Sequence, residues 1–461
     1  MDAIYQFARN FIETDYEDLP RDVVEITKKL ILDQIGVALA GSSKPGIKEL
    51  LELLVEWGGR EEATTLCYGN RLPAPHAAQM NATMGHAVDY DDTHDTAMMH
   101  TAVIAVPTCL AMAEYRGGLS GQEFITAAAL GIDMISRLGL ATSPGTNLMK
   151  TGWHFTTLYG FMASAGVAGK ILGFDEDKLV NAFGIGYHQG GGNGQSVLDG
   201  VMTKRLGPGF AVRGGIASAL MANKGLTGAR NSLEGEFGIF NVYHRGSYDP
   251  KVLTADLGKH FEGVNVSIKP YPCCRAIHPF IDATKEIISE YKIKPEDVQE
   301  IIVTCHEGNY KVLASPLEVK TRPRNLIDAQ FSIPWAVATV ITRGKVVMEN
   351  YTEAAIKSQD ILDMAGKVKV ELDPKPSGKH VVDPGEVKII TKSGEAGYKR
   401  MDDALGSPQK PLTFAECAVK FRDCASSAVK KIADKNVDQV VELISGLEKV
   451  PDIREIVSLL S

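Results

Sequence analysis

The sequence predicts a mostly α-helical protein with an α+β domain inserted between two helical segments. Three observations carry that prediction. Apolar residues recur at helical spacing from the N-terminus to about residue 264. The pattern then changes to short alternating runs, proline corners and a hairpin signal, up to about residue 400. Helical spacing returns for the remainder. A chain of 461 residues also exceeds the size at which one core stops growing, roughly 250–300 residues, so two domains are expected. The expected boundaries are a helical domain from residues 1–264 and 401–461, and an inserted α+β domain from residues 265–400.

Each element has a local reason. Pro20 opens a helix in which Val23, Ile26, Thr27, Leu30, Ile31, Gln34, Ile35 and Ala38 share one face, and Gly41 offers a stop. Ser120 and Glu123 form a capping box ahead of Phe124, Ile125, Leu130, Ile132 and Ile135. Asp175 can cap the helix that carries Leu179, Val180 and Phe183. Small residues crowd FMASAGVAGK (161–170) and GGIASALMA (214–222), and small faces let helices approach closely. Past residue 264, VNVSIKPYP reads as a strand entering a proline corner, and HPFIDATKEIISEY as a helix. VQEIIVTCHEG alternates like a strand, and a long apolar helix is expected over Ile327–Thr342. VKVELDP supplies another strand, and GEVKIITKSGEAGYKRM a hairpin turning at Ser393-Gly394. Thr413 and Glu416 make a second capping box, and Pro451 separates the last helices.

Composition narrows the function. Hydrophobic residues at 44% and charged residues at 23% describe an ordinary globular chain. A net charge of −8 is no nucleic-acid footprint, and it makes each dense cationic spot informative as an anion site. The N-terminal MDAIYQFARNFIETDYEDLP lacks a long apolar run, so no secretory signal is expected. The apolar stretches Thr101–Tyr115 and Ile333–Thr342 are broken by Pro107 and Pro334, and no membrane span is expected. Seven irregularly spaced cysteines without a CxxC argue against a disulfide framework or zinc ribbon. They fit a reducing cytoplasm.

Four patches carry candidate chemistry. GHAVDYDDTHDTAMMH (85–100) gathers four aspartates and three histidines. Its ligand types allow a metal site, but His94 and His100 are six apart, which is neither a helix nor a strand repeat. Its acids can also be local caps, or can form an acid/base cluster in which carboxylates and imidazoles shift one another's proton affinity. MTKRLGPGF (202–210) sets Lys204 and Arg205 beside glycines. The strand–GxGxxG–helix order of a dinucleotide site is absent, so a carboxylate site is the better functional reading, against a plain surface basic pair. SIKPYPCCRAIHPF (267–280) packs Lys269, Arg275 and His278 into a turn at the expected domain boundary, where ligands are favoured. TGWHFTT (151–157) holds His154, which alone reads more readily as a packed or capping histidine.

Together, GHAVDYDDTH with His100, GWHFTTLYG, KRLGPGF and KPYPCCRAIHPFIDA resemble the MmgE/PrpD family, the 2-methylcitrate dehydratase-like proteins, from about residue 5 to the C-terminus. The resemblance implies a helical domain with an inserted α+β lid, a homodimer, and no metal or organic cofactor. It implies chemistry on small di- and tricarboxylic acids: dehydration of 2-methylcitrate, decarboxylation of cis-aconitate or epimerisation of iminodisuccinate. By resemblance to the decarboxylase members, Asp89, Thr93, His100, His154, Lys204 and Lys269 match active-site positions, in a cleft between the domains. The dehydratases proper carry an asparagine and a tryptophan in the segment where this chain keeps Asp91, Asp92 and His94. Thr101, Phe155 and Gly207 stand where relatives of its own type often have proline, proline and histidine.

These reactions build negative charge beside a carboxylate, which cations must neutralise. Lys204, Arg205, Lys269 and Arg275 are the candidate cations; His100 and His154 are the candidate acid and base. Asp89 is expected to orient a histidine, and Thr93, His94 and His278 to help bind substrate. The leading expectation is a cofactor-independent hydro-lyase for a 2-methylcitrate-like hydroxy acid. An epimerase or decarboxylase on the same scaffold is the alternative. A non-catalytic anion-binding protein and a metal-dependent hydrolase stand behind these. The expected partner is a small anionic carboxylate, with no nucleic acid and no membrane.

Overall fold

The computed structural model describes residues 1–142, 151–373 and 382–461. It is mostly helical, with a small mixed sheet confined to its second unit. Two compact units divide it: Met1–Val266 with Thr413–Ser461, and Ser267–Leu412.

The first unit begins with α1 (Ile4–Glu13), α2 (Arg21–Gly41), α3 (Ile47–Trp57), α4 (Ala74–Gly85), α5 (Ala102–Arg116) and α6 (Gly121–Thr142). It continues with α7 (Phe155–Ile171), α8 (Glu176–Gln189) and α9 (Thr203–Asn223). The capping box at α6 forms: Glu123 Oε2 accepts from Ser120 N at 2.8 Å, and Ser120 Oγ accepts from Glu123 N at 3.3 Å. Asp175 caps α8 by accepting from Lys178 N at 2.9 Å. Helix α9 packs against α7, α4 and α8, and the small residues are why it can. A Cβ on Gly215 would stand 2.5 Å from Ser164 Cβ, and one on Gly160 2.9 Å from Ala211 Cβ. Any larger side chain would force α7 and α9 apart.

Helix α2 was expected to bury one face. Instead every residue from Leu30 to Gly41 is buried, because α4, α5 and α6 surround it. Helix α6 is long and apolar enough to cross a membrane by composition, and 94% of that window is buried inside the protein. Its buried Arg137 pairs with Asp133 at 2.9 Å and donates to the carbonyls of Ala255 and His260. A core helix satisfied in this way needs no bilayer.

The second unit carries β1 (Val298–Cys305), β2 (Val368–Leu372), β3 (Gly385–Thr391) and β4 (Ala396–Met401), in the order β2-β1-β3-β4. Strands β1 and β2 are parallel, with Ile301 opposite Val368. The β1–β3 and β3–β4 pairs are antiparallel. The hairpin turns where Gly394 has φ +89°, a conformation open to glycine. Helix α10 (His278–Tyr291) packs on β3 and β4, and Phe280, Ile301, Val303, Val387 and Ile389 are buried in one core with Trp335. Burying Phe280 fully contributes about 1.5–3 kcal/mol. The single helix expected over Ile327–Thr342 is two. Leu326–Gln330 stops, and α11 (Ile333–Arg343) restarts where Ser332 Oγ accepts from Trp335 N at 3.0 Å. Pro334 in the first turn explains the restart, because its ring cannot continue a helix through Ser332. The strand expected in VNVSIKPYP shrinks to Val266–Ser267 ahead of the prolines.

The chain then re-enters the first unit through α12 (Phe414–Ser426) and α13 (Asp434–Ser445). The second capping box starts α12: Thr413 Oγ1 accepts from Glu416 N at 3.2 Å. Its buried face packs on α2, so the last segment closes the core around that helix.

Candidate active site

The first-unit site grows from the end of α4. That helix stops at His86, and the following turn places Asp89 at φ +52°, the left-handed region that aspartate tolerates better than most residues. The turn aims its three aspartates differently. Asp89 Oδ1 lies 2.5 Å from Lys204 Nζ, in the first turn of α9. Asp91 Oδ2 lies 2.7 Å from His86 Nδ1 and 3.0 Å from His100 Nδ1. The first contact is a hydrogen bond; the second has ion-pair distance but a poor hydrogen-bond angle. Asp92 is a cap: its carboxylate accepts from Thr101 N, Thr101 Oγ1 and Ala102 N at 2.8, 2.7 and 3.1 Å, fixing the start of α5.

Three imidazoles meet here. The His86 ring centre lies 4.6 Å from that of His100 and 5.8 Å from that of His154. His154 is the N-cap residue of α7, and its Nδ1 lies 2.9 Å from Thr157 Oγ1. The neighbouring Thr156 accepts from His100 N at 2.9 Å, which ties the loop to the same helix. A Cβ on Gly207 would lie 2.4 Å from Thr157 Oγ1, so glycine there leaves room for the threonine that orients His154.

Electrostatics follow from burial and neighbours. Burial pushes His86 down to about 4, against the pull of Asp91. Burial, with His86, Lys204 and His100 as like charges, holds His154 well below the ordinary imidazole range. Burial disfavours charge on Asp91, yet the two histidines outweigh it and hold Asp91 well below the carboxylate range. Asp91 is therefore an ionised acceptor. Its partner His86 carries its proton on Nδ1, which leaves Nε2 as the basic nitrogen.

Of the sequence candidates, Asp89, His100, His154 and Lys204 come together. Thr93 lies in the same loop, and its Oγ1 is buried without a hydrogen-bond partner among the described residues. His94 is held elsewhere: Nδ1 accepts from Ala97 N at 3.1 Å, and Nε2 lies 3.4 Å from Glu262. Arg205 donates to the Pro45 carbonyl at 2.7 Å. In the second unit, Lys269, Arg275 and His278 are all buried; Arg275 donates to the Leu405 carbonyl at 2.8 Å and lies 3.1 Å from His278 Nδ1. Lys269 remains a candidate by resemblance, and Arg275 and His278 by their place in the 267–280 turn. Sequence reasoning missed His86 and the role of Asp91 as shared acceptor. The only signal was a histidine five residues before an aspartate, and that spacing fits no repeat.

His86, Asp91 and His100 offer ligand-type atoms within 4.8 Å of one another. Two ligands on one tetrahedral zinc at ~2.0–2.1 Å stand about 3.3 Å apart. The separations at Asp91 Oδ2 are shorter, 2.7 Å to His86, a hydrogen bond, and 3.0 Å to His100, an ion-pair distance. A cavity of about 240 Å³ lies between Tyr16, Arg116, Glu123 and Lys170, at the far end of α5. Its cations are already spent: Lys170 donates to the carbonyls of Ile12 and Thr14, and Arg116 to Glu123 and the Ile171 carbonyl.

Residues 5–251 match the MmgE/PrpD N-terminal domain, and residues 271–445 the MmgE/PrpD C-terminal domain. Among curated relatives, a cis-aconitate decarboxylase of Aspergillus terreus is 26% identical, over 96% of this chain and 93% of that protein. A cis-aconitate decarboxylase-like protein of Aspergillus oryzae is 25% identical, over 96% and 94%. A cis-aconitate decarboxylase of Homo sapiens is 26% identical, over 95% and 90%.

Proposed function

The chain belongs to the MmgE/PrpD family of enzymes, and from that premise we propose a cofactor-independent carboxy-lyase for a small unsaturated tricarboxylate of the cis-aconitate type. One observation carries the reading: Lys204 rests on Asp89 beside three clustered histidines, two of which contact Asp91. The kinship with decarboxylases, and the aspartates kept where dehydratases have asparagine and tryptophan, favour loss of carbon dioxide over loss of water.

In this reaction the C–C bond to the departing carboxylate breaks. Its electron pair moves through the double bond to the carbon beside the far carboxylate, and a proton is placed there. One proton is consumed, carbon dioxide leaves, and methylenesuccinate remains. A substrate carboxylate competes with Asp89 for Lys204, so the cation sits where negative charge grows. His100 uses Asp91 to orient its Nδ1 and delivers the proton through Nε2. His154, kept neutral and oriented by Thr157, hydrogen-bonds a second carboxylate. We also propose a cytoplasmic homodimer, consistent with seven free thiols; sedimentation velocity checks the assembly.

The test is proton NMR in deuterated water with purified protein and cis-aconitate. New methylene signals of methylenesuccinate, with one deuteron incorporated, support the reading. If cis-aconitate is inert while a hydroxy-tricarboxylate yields olefinic signals, the enzyme is a hydro-lyase. Loss of an α-proton signal from an amino- or imino-dicarboxylate without a new skeleton makes it an epimerase.

A further inference from the structure

Helix α12 lies more than three hundred residues from the aspartate turn in sequence, yet it sends one charge beneath it. Its buried face runs Cys417, Lys420, Phe421 and Cys424, an apolar stripe broken by a lysine. Lys420 Nζ donates to the Tyr90 carbonyl at 2.8 Å, stands 2.6 Å from Asp33 Oδ1, and lies 3.7 Å from the centre of the Tyr90 ring. Tyr90 is the residue between Asp89, which holds Lys204, and Asp91, which holds His86 and His100.

A buried lysine paired with a buried aspartate is a poor way to stabilise a core, because apolar residues of the same volume do as well or better. Asp33 is itself pushed up to about 6 by burial, with Lys420 opposing and the charges of Asp92 and Asp91 adding to the rise. The pair therefore needs a reason other than stability. The turn it holds supplies one. Asp89 sits in the left-handed region, where a non-glycine residue persists only if its surroundings hold it. Tyr90 offers its carbonyl to Lys420 beneath it.

We propose that Lys420 is a positioning residue: by tethering the Tyr90 carbonyl and neutralising Asp33, it fixes the turn whose two carboxylates carry the catalytic lysine and histidines. This rests on the function proposed above for Asp89, Lys204 and His100. Lys420 touches no reacting atom, and its effect passes through the geometry of that turn.

The experiment uses the full-length wild type, Lys420→Met, and Lys420→Met combined with Asp33→Asn. Three quantities are measured: thermal stability, kcat and KM for cis-aconitate, and backbone hydrogen exchange across residues 86–102. Lys420→Met is expected to lower kcat at least ~30-fold with KM within about threefold, and to speed exchange across 86–102 by roughly tenfold. Adding Asp33→Asn removes the stranded carboxylate, so stability returns while kcat stays low, because the tether is still missing. A purely structural role makes activity return together with stability. A folded Lys420→Met with kcat within about threefold of wild type overturns the inference, as does recovery of kcat in the double variant. Collapse of both variants also overturns it, since the pair would then be a requirement of the fold. If the wild type does not turn over cis-aconitate, the proposed function fails separately. The exchange across 86–102 then decides: a rise in either variant supports the tether, and unchanged exchange rejects it.

Discussion

Asp91→Asn is the sharpest perturbation of the site, because it keeps the shape and removes one charge. In the native protein one oxygen of Asp91 lies 2.7 Å from His86 Nδ1 and 3.0 Å from His100 Nδ1. His86 thus donates its N–H to that oxygen, and His100 stands at ion-pair distance from it. An asparagine amide has one accepting oxygen and a donating NH2, so it cannot both accept the His86 N–H and give His100 a charged neighbour. One histidine must turn or change tautomer. A hydrogen bond to a charged group contributes about 1.5–3 kcal/mol, so stability is expected to fall by about that amount. A catalytic histidine in the wrong tautomer costs ~10²–10⁴ in rate. Because Asp91 is fully buried and does not meet substrate in the proposed mechanism, KM is expected to stay within about threefold while kcat collapses. The assay is methylenesuccinate formation by NMR, on protein whose fold is checked by circular dichroism and whose stability comes from urea unfolding. A folded Asp91→Asn protein that keeps kcat within about threefold would falsify the role given to the shared carboxylate.

Three further outcomes are expected. Lys204→Ala removes the cation that meets substrate, and kcat/KM is expected to fall at least ~100-fold with the fold intact; survival within about threefold means that the cation site is misplaced. Stability is expected to fall on acidification: His86, pushed down to about 4, stays neutral in the native state while the unfolded chain takes up a proton below about pH 6.5. Going from about pH 7.5 to about pH 5, His86 alone removes about 2 kcal/mol, and His154 acts in the same direction; Asp91, held low, adds its loss only below about pH 4. Urea unfolding at the two pH values checks this, and a flat profile refutes the neutral-histidine cluster. Elemental analysis of the purified protein is expected to find metal well below one equivalent, with full activity in chelator; a stoichiometric ion lost together with activity would reassign His86, Asp91 and His100 as ligands.

What the sequence disclosed depended on how local the physics was. The caps at Ser120, Asp175 and Thr413, and the hairpin turn at Gly394, involve residues at most four apart, and each forms where its residues predict. Long-range packing was less legible. Helix α2 was expected to bury the face that carries Leu30, Gln34 and Ala38, yet from Leu30 to Gly41 it is buried all round, Asp33 included. The same division runs through the site. Asp89, His100, His154 and Lys204 lie in compact patches whose residue types suggest acid/base and carboxylate chemistry. Whether an acid in such a patch caps a helix, as Asp92 does, or anchors two histidines, as Asp91 does, depends on where α5 starts and on how α4 ends. Lys420 lies between these extremes. Its partners cannot be found from sequence spacing, but its misfit can. A lysine in register with Cys417, Phe421 and Cys424 breaks the apolar face of an amphipathic helix. Sequences agree with their folds at most positions, and a local rule broken on a buried face points to a task beyond stability. On that argument the charged residues inside apolar stripes, Asp33 on α2 and Lys420 on α12, shape this active site from beneath, beyond what the conspicuous acids of the 89–92 turn do by themselves.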